Sequence, residues 1–298
     1  MENSIEIKNL NKCYGKKQAL SDVSLTIEQG MFGLLGRNGA GKTTLMKTLA
    51  TLLTKKDGSI TVCGIPIENA KEIRRITGYL PQDFSMYPTM SVTEAMDYLG
   101  ILSGIGTKER KKRIHTLLER VNLTEHRTKK VKALSGGMKR RLGIAQALLN
   151  NPKVLIVDEP TAGLDPEERI RFRNLLCDVA ESRIVILSTH IVGDIEATCE
   201  NLAILNEGSI LYHGTVSELL AATEGKVFTK FVDKQELPRL KKEYRITGMH
   251  TQGDKAQLRF LSEIPIEGAE TCKPNIEDAY MLYLWRNGDT SDLSGGEL

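Results

Sequence analysis

The chain lacks the features that would place it in a membrane or an oxidising compartment. No run approaches the ~20 consecutive apolar residues needed to span a bilayer, and direct membrane insertion is not expected. Met1-Glu2-Asn3-Ser4-Ile5-Glu6 has neither the basic start nor the apolar core of a secretion signal. The cysteines (Cys13, Cys63, Cys177, Cys199, Cys272) are scattered, odd in number and form no C-x-x-C pair, which argues against a disulfide framework or a zinc site. A reducing, cytoplasmic setting is expected. Charge of one sign is also scarce: the formal net charge is +3 over 298 residues, too little to make nucleic acid or anionic lipid the main partner. The basic stretches Lys108–Arg113 and Lys129–Lys132 are read as solvated surface. Sustained heptads, internal repeats and low-complexity tracts are absent as well.

What is present is an ordinary soluble composition, 40% hydrophobic and 27% charged. The length exceeds a single simple core. Short alternating or apolar runs (Ile5-Glu6-Ile7, Val23–Ile27, Met31–Leu35, Ser59–Gly64, Thr77–Leu80) read as strands, with a polar helix over Glu68–Arg75. From Ser91 to Asn150 the period becomes helical: Val92, Ala95, Met96, Leu99 and Leu102, then Ile114, Leu117, Leu118 and Val121. After Pro152 strands (Val154–Val157, Ile184–Ser188, Leu202–Asn206) alternate with helices (Pro166–Glu181, Ile191–Cys199). That alternation predicts an α/β fold, a parallel sheet flanked by helices, with the block at about 83–150 as an inserted helical subdomain. Ser209–His213 and Val216–Ala222 close a main domain over 1–222. A small extension, 223–298, holds strand-like runs at Val227–Val232 and Ala256–Leu261 and a last helix at Asn275–Trp285.

Three motifs carry chemistry. Gly36-Arg37-Asn38-Gly39-Ala40-Gly41-Lys42-Thr43 follows the apolar run Met31–Leu35 and precedes a helical run from Thr44. Strand, glycine loop and helix are the context a phosphate-binding loop requires. Its backbone N–H groups converge on a polyphosphate, Lys42 reaches the β- and γ-phosphates, and the Thr43 hydroxyl is placed for Mg²⁺. Val154–Val157 then delivers Asp158 to hold Mg²⁺ and Glu159 to polarise a water as general base. Leu134-Ser135-Gly136-Gly137-Met138 opens a long helix with Ser135 as N-cap, a second anion-binding terminus suited to a nucleotide held on another molecule.

Together these motifs resemble the ATPase subunits of ATP-binding cassette (ABC) transporters, over about residues 5–220. Leu134–Met138 is similar to that family's LSGGQ signature, with Met138 where glutamine is usual; the signature's contacts rest mainly on the serine and glycines. The resemblance implies a P-loop NTPase core with an N-terminal antiparallel β subdomain. It implies that ATP and Mg²⁺ are bound by the loop with Thr44, by Asp158 and by the partner-facing Ser135, Gly136 and Gly137. It further implies Tyr14 stacked on the adenine, Gln82 as the residue sensing Mg²⁺ and the attacking water, Gly163-Leu164-Asp165 meeting a partner subunit, and His190 near the γ-phosphate. Singly these residues have plainer readings: a histidine after a strand is usually structural, and Tyr14 could be packing. In one order along one chain they support each other.

The implied function is ATP hydrolysis in a head-to-tail dimer, with a second copy or a relative, that drives separate membrane-spanning permease subunits from the inner face of the membrane. Phe84, Met86 and Tyr87, within Gln82–Leu102, are the expected docking surface. Asp165–Arg169 and the acidic-aromatic stretch Ile276-Glu277-Asp278-Ala279-Tyr280 resemble exporters of the drug and antibiotic resistance type, and Leu282 and Trp285 are expected to dock on the protein's own surface. An import-type ATPase and a non-transport ATPase acting on ribosomes or DNA are the alternatives. The former usually carries a longer regulatory domain, the latter two cassettes or a coiled coil. Leu293-Ser294-Gly295-Gly296-Glu297-Leu298 echoes the signature with no helix after it, and is read as a disordered polar tail.

Overall fold

In the computed structural model, which describes residues 3–288, the alternating runs near the N-terminus form a long antiparallel hairpin. Its strands are β1 (Ser4–Tyr14) and β2 (Lys17–Glu28), and inward residues such as Ile5, Ile7, Val23, Leu25 and Ile27 are buried. β3 (Gly30–Leu35) follows, and α1 (Lys42–Leu49) begins at Lys42, earlier than the helical run expected from Thr44. β4 (Asp57–Val62) and the short β5 (Ile65–Pro66) complete a four-stranded sheet in the order β2-β1-β4-β5, the expected antiparallel subdomain.

After α2 (Ala70–Ile76) and β6 (Thr77–Leu80), three helices make up the lobe: α3 (Val92–Leu102), α4 (Thr107–Arg120) and α5 (Gly136–Leu148). Ser91 and Glu94 form a reciprocal capping box at the start of α3. Contrary to the sequence expectation of a solvated surface, the basic stretch on α4 has a buried member. Arg110 is buried, its Nε 2.6 Å from Asp97 Oδ1 and its Nη1 donating to the Ile105 carbonyl. Its aliphatic stem lies where a Cβ on Gly100 would collide, which pins α4 to α3.

The alternating half runs β7 (Val154–Asp158), α6 (Pro166–Ala180), β8 (Ile184–Thr189), α7 (Val192–Thr198) and β9 (Asn201–Asn206). Five strands lie parallel in the order β9-β3-β8-β7-β6. Every residue of β7 and β8 is buried, as strands covered on both faces must be. One core joins inward residues of the antiparallel sheet, α1 (Leu45, Met46, Leu49) and the parallel sheet (Leu34, Ile156, Ile186). Register aligns the strands' C-terminal ends: Leu35 pairs with Thr189, Asp158 with Ser188, and Leu80 with Val157. The segments after β3, β6, β7 and β8 therefore leave the sheet along one edge, where α/β folds place their ligands.

The left-handed pair Glu207-Gly208 (φ 45° and 83°) turns the chain from β9 into β10 (Ser209–Thr215). The chain divides into two compact units, Met1–Ile210 and Leu211–Leu298, so the division falls before the expected boundary at 222. The second unit contains α8 (Val216–Ala221), β11 (Val227–Asp233), α9 (Leu237–Glu243), β12 (Arg245–Gln252), β13 (Lys255–Leu261), β14 (Glu270–Thr271) and α10 (Ile276–Arg286). α8 packs against α10, which is why it goes with this unit. Its antiparallel sheet, in the order β12-β13-β11-β14, is cored by Phe228, Leu258 and Phe260. α10 rests Leu282 on Val227 and Leu261 with Trp285 beside them, the self-docking expected of its apolar face. Asp278, fully buried, receives hydrogen bonds from Thr247 Oγ1 (2.6 Å), Arg259 Nη2 (2.5 Å) and the Asn275 N–H (3.0 Å). The Ser294-Gly295-Gly296 tail lies outside the described residues.

Candidate active site

The glycine loop is shaped by what surrounds it. Gly41 has φ 109°, and a Cβ there would meet the Ala19 carbonyl at 2.7 Å, so no other residue fits without shifting β2. The loop is tied down by the Gly208 N–H donating to the Ala40 carbonyl (2.9 Å) and by the Ala40 N–H donating to Arg37 O (3.1 Å). Gly41 N-caps α1, so the first-turn N–H groups, which have no intrahelical acceptor, face the loop's hollow. Asn38 and Gly39 are exposed at its tip, Gly36 and Ala40 are buried at its base, and Thr43 and Thr44 are half-buried at the helix start.

Lys42 is buried, 5% exposed, and its ammonium donates to Gly36 O (2.6 Å) and Arg37 O (3.1 Å). Its Nζ also lies 3.4 Å from Glu159 Oε1. The other Glu159 oxygen lies 2.9 Å from His190 Nδ1. Glu159, Lys42 and His190 thus share one carboxylate, although they come from segments after β7, β3 and β8.

Glu159 has a left-handed backbone (φ 45°), uncommon for a residue with a Cβ and costing roughly 1–2 kcal/mol. Tertiary contacts hold it there. Its N–H donates to Ser188 O (3.1 Å) and Ser188 Oγ (3.3 Å), and its carbonyl accepts from Arg140 Nη2 (2.7 Å). Ser188 in turn donates its hydroxyl to Asp158 Oδ1 at 2.5 Å. Asp158 is fully buried, and its Oδ2 has no hydrogen-bond partner among the described residues.

An orphaned, desolvated carboxylate oxygen at the end of a phosphate-loop sheet suits a hard divalent cation. The Thr43 hydroxyl in the first turn of α1 is a second hard oxygen donor, and these donor types fit Mg²⁺. No group of three or more His, Cys, Asp or Glu side chains arranged to hold a metal occurs among the described residues, so the phosphates would have to complete the ion's shell.

Gln82 is exposed beyond β6, and its carbonyl is held by Arg140 Nη1 (2.5 Å). Tyr14 ends β1, 48% exposed as a residue, with the Lys12 ammonium 5.5 Å from its ring centroid. Ser135 caps α5, accepting from the Met138 N–H (3.2 Å), and Ser135 and Gly136 are exposed. Gly137 is half-buried against Glu168, whose carboxylate also engages Arg141 (3.2 Å). Asp165 caps α6, accepting from the Glu168 N–H (2.8 Å).

Sequence reasoning missed three members of this arrangement: Ser188, Arg140 and Asp194. Asp194 on α7 is fully buried and accepts from the Thr161 hydroxyl, just beyond Glu159, tying the His190 segment to the Glu159 turn. Ser188 carried a signal, a hydroxyl at the end of a buried strand beside the Asp158 strand. Arg140 carried only its place in a basic run.

The sequence profile described as ABC transporter matches residues 20–162. An uncharacterised ABC transporter ATP-binding protein of Synechocystis is 34% identical over 97% of this chain and 87% of its own length. The linearmycin resistance ATP-binding protein LnrL of Bacillus subtilis is 37% identical over 74% of this chain and 72% of its own. Among solved structures, a bacterial ABC transporter cassette determined as a dimer superimposes with a TM-score of 0.65 at 27% identity. That match covers 71% of this chain and 98% of the cassette.

Proposed function

Because this chain belongs to the ABC transporter family as an ATP-binding, ATP-hydrolysing subunit, we propose that it works as one half of a nucleotide-closed clamp that drives a membrane-embedded exporter. The observation that carries the reading is the sharing of the Glu159 carboxylate by Lys42 (3.4 Å) and His190 (2.9 Å) beside the orphaned Asp158 oxygen.

In this reading the loop Gly36–Thr43, with Thr44, cradles the phosphates through backbone N–H groups, and Lys42 turns its ammonium from loop carbonyls to the β- and γ-oxygens. Tyr14 offers its exposed face to the adenine. Glu159 accepts the proton of the attacking water, and His190 fixes the carboxylate's orientation while its exposed side faces the γ-phosphate. Thr43 and Asp158, with Gln82, are the groups that would hold Mg²⁺, which neutralises charge on the phosphates when bound.

The exposed N-terminus of α5, Ser135-Gly136-Gly137, has the donors for a phosphate but lies on a different element from the loop. A head-to-tail partner, a second copy or a relative, would put that terminus on the far side of the nucleotide, and Asp165 beside the interface. That a cassette among the structural neighbours is dimeric supports a second subunit. Two helix termini and a lysine then grip one polyanion, and loss of the γ-phosphate releases the grip.

No helix of the described residues is long and apolar enough to cross a membrane, so the pathway belongs to another protein. A groove of about 500 Å³ lined by Pro81, Phe84, Met86, Tyr87 and Leu99 adjoins Gln82 and suits a permease segment. Tyr87 stacks edge-on against Tyr98 at 5.1 Å, stiffening its rim. The chain would then sit peripherally on the inner face of the membrane. The resistance role named for LnrL supports export of a hydrophobic or antibiotic compound. Purification of the chain from detergent-solubilised membranes tests this. Recovery with a polytopic protein that stimulates ATP turnover is expected, and recovery with ribosomes or DNA and no such protein would contradict it.

A further inference from the structure

Arg140 makes an unusual set of contacts for a residue on the signature helix. It projects from early α5 and its guanidinium spans two segments that leave adjacent strands of the sheet. Nη1 donates to Pro81 O (3.1 Å) and Gln82 O (2.5 Å), just after β6. Nη2 donates to Glu159 O (2.7 Å) and Nε to Pro160 O (3.0 Å), just after β7. All these acceptors are backbone carbonyls. The guanidinium is half-buried, and that desolvation pulls its pKa below the usual arginine value against the opposing pull of Asp158, Asp83 and Glu159. A cation placed so is costly unless its donors are used.

The geometry of Glu159 gives this contact its consequence. The residue sits in a left-handed conformation that the chain does not favour, and its peptide groups are held from two sides. Ser188 on β8 fixes the N–H, and Arg140 on α5 fixes the carbonyl. The Ser188 contact belongs to the rigid sheet, whereas the Arg140 contact comes from the inserted lobe. A shift of α5 therefore reaches the carboxylate-bearing residue and the Gln82 backbone through one planar group. A lysine, a point charge with no fork, could not hold both segments at once.

We propose that Arg140 is a positioning residue that links engagement of this protomer's signature helix with the partner's nucleotide to the alignment of Glu159 and Gln82 in its own site. The proposal rests on the head-to-tail reading given above. When Ser135 to Gly137 seat on a nucleotide, α5 is fixed, and through Arg140 the turn at Glu159-Pro160 and the segment at Pro81-Gln82 take their working positions. Each site of a dimer is thereby informed that the other is filled.

The test compares R140K and R140M in the full chain, alone and combined with E159Q. In the otherwise wild-type background, R140M is expected to lower kcat by about 10- to 100-fold, the scale of a small misplacement of a reacting group. KM for ATP is expected to stay within about two-fold, since Arg140 bonds only to the backbone carbonyls of Pro81, Gln82, Glu159 and Pro160 and to no group of the phosphate loop. R140K should fall between R140M and wild type, and both should lose cooperativity in ATP. E159Q and E159Q/R140M should both dimerise with ATP in light scattering. Wild-type turnover and cooperativity in R140K and R140M would overturn the proposal. So would loss of ATP-dependent dimerisation in E159Q/R140M while E159Q still dimerises, because Arg140 would then serve the fold or the interface. If E159Q itself stays monomeric with ATP, the head-to-tail reading fails first and the proposal falls with it. Should R140M not fold, R140K decides by the same criteria.

Discussion

His190 Nδ1 lies 2.9 Å from Glu159 Oε2, although the two residues leave different strands of the sheet. The pairing of Asp158 with Ser188 in register brings the two strand ends level, so the residues that follow them meet. His190 keeps a side chain 44% exposed while Glu159 is almost fully covered, so the histidine is the solvent-facing member of the pair.

His190→Ala should therefore leave the carboxylate buried but unsteered. Turnover is expected to drop by about 100-fold or more, within the range for loss of a group assisting proton transfer. ATP affinity should change little, because the loop and Lys42 are untouched. Single-turnover kinetics with an independent binding titration separate the two. A variant that keeps its rate would show that the His190–Glu159 contact is structural.

Tyr14 presents its ring at the end of β1 with Lys12 beside it, and nothing apolar covers the 48% of the residue left exposed. Tyr14→Ala should weaken ATP binding by about 2- to 13-fold, from the 0.5–1.5 kcal/mol typical of an aromatic pair. Tyr14→Trp should restore it. Inorganic triphosphate, which has no base to stack, should bind the wild type and Tyr14→Ala alike; equal weakening for both ligands would place the effect in the loop instead.

Much of the site was legible because its side chains are carried by motifs with local physics. The apolar runs that became β3, β7 and β8 are buried on both faces, and such strands need little more than length and hydrophobicity to be recognised. β12 escaped notice because Arg245–Gln252 is half-buried to exposed throughout and so lacks alternation. α9 is short and lysine-rich, with Leu240 its sole fully buried residue. Arg140 was invisible for a different reason. Its partners are carbonyls, which every residue has, drawn from segments far apart in the chain. Asp194 and Thr161 are likewise joined only by the folded sheet. Arg110 read as surface because charge within a basic stretch conceals a single ion-paired member.

The second unit yields a stability prediction that can be read separately. Trp285 on α10 is the chain's single tryptophan, and it packs beside Leu282, Val227 and Leu261. Asp278 anchors the same helix through Arg259 and Thr247. Asp278→Ala would leave Arg259 without its carboxylate and break the capping box. Because the Arg259 side chain is 26% exposed, the loss should lie near the lower end for a buried pair, about 3 kcal/mol. Urea unfolding followed by Trp285 fluorescence should show the midpoint fall. An unchanged midpoint would mean that α10 is held by its apolar face alone.

The proposed clamp requires Glu159 as the base in a site completed by a second subunit. Glu159→Gln preserves the side chain's shape and can keep the Lys42 neighbourhood filled while removing the carboxylate. The decisive measurement is the molar mass of this variant by light scattering, with and without saturating ATP and Mg²⁺, alongside its hydrolysis rate. The predicted result is a monomer that becomes a stable dimer only with ATP and turns over almost none of it. A variant that hydrolyses ATP near the wild-type rate, or remains monomeric with the nucleotide bound, would contradict the account.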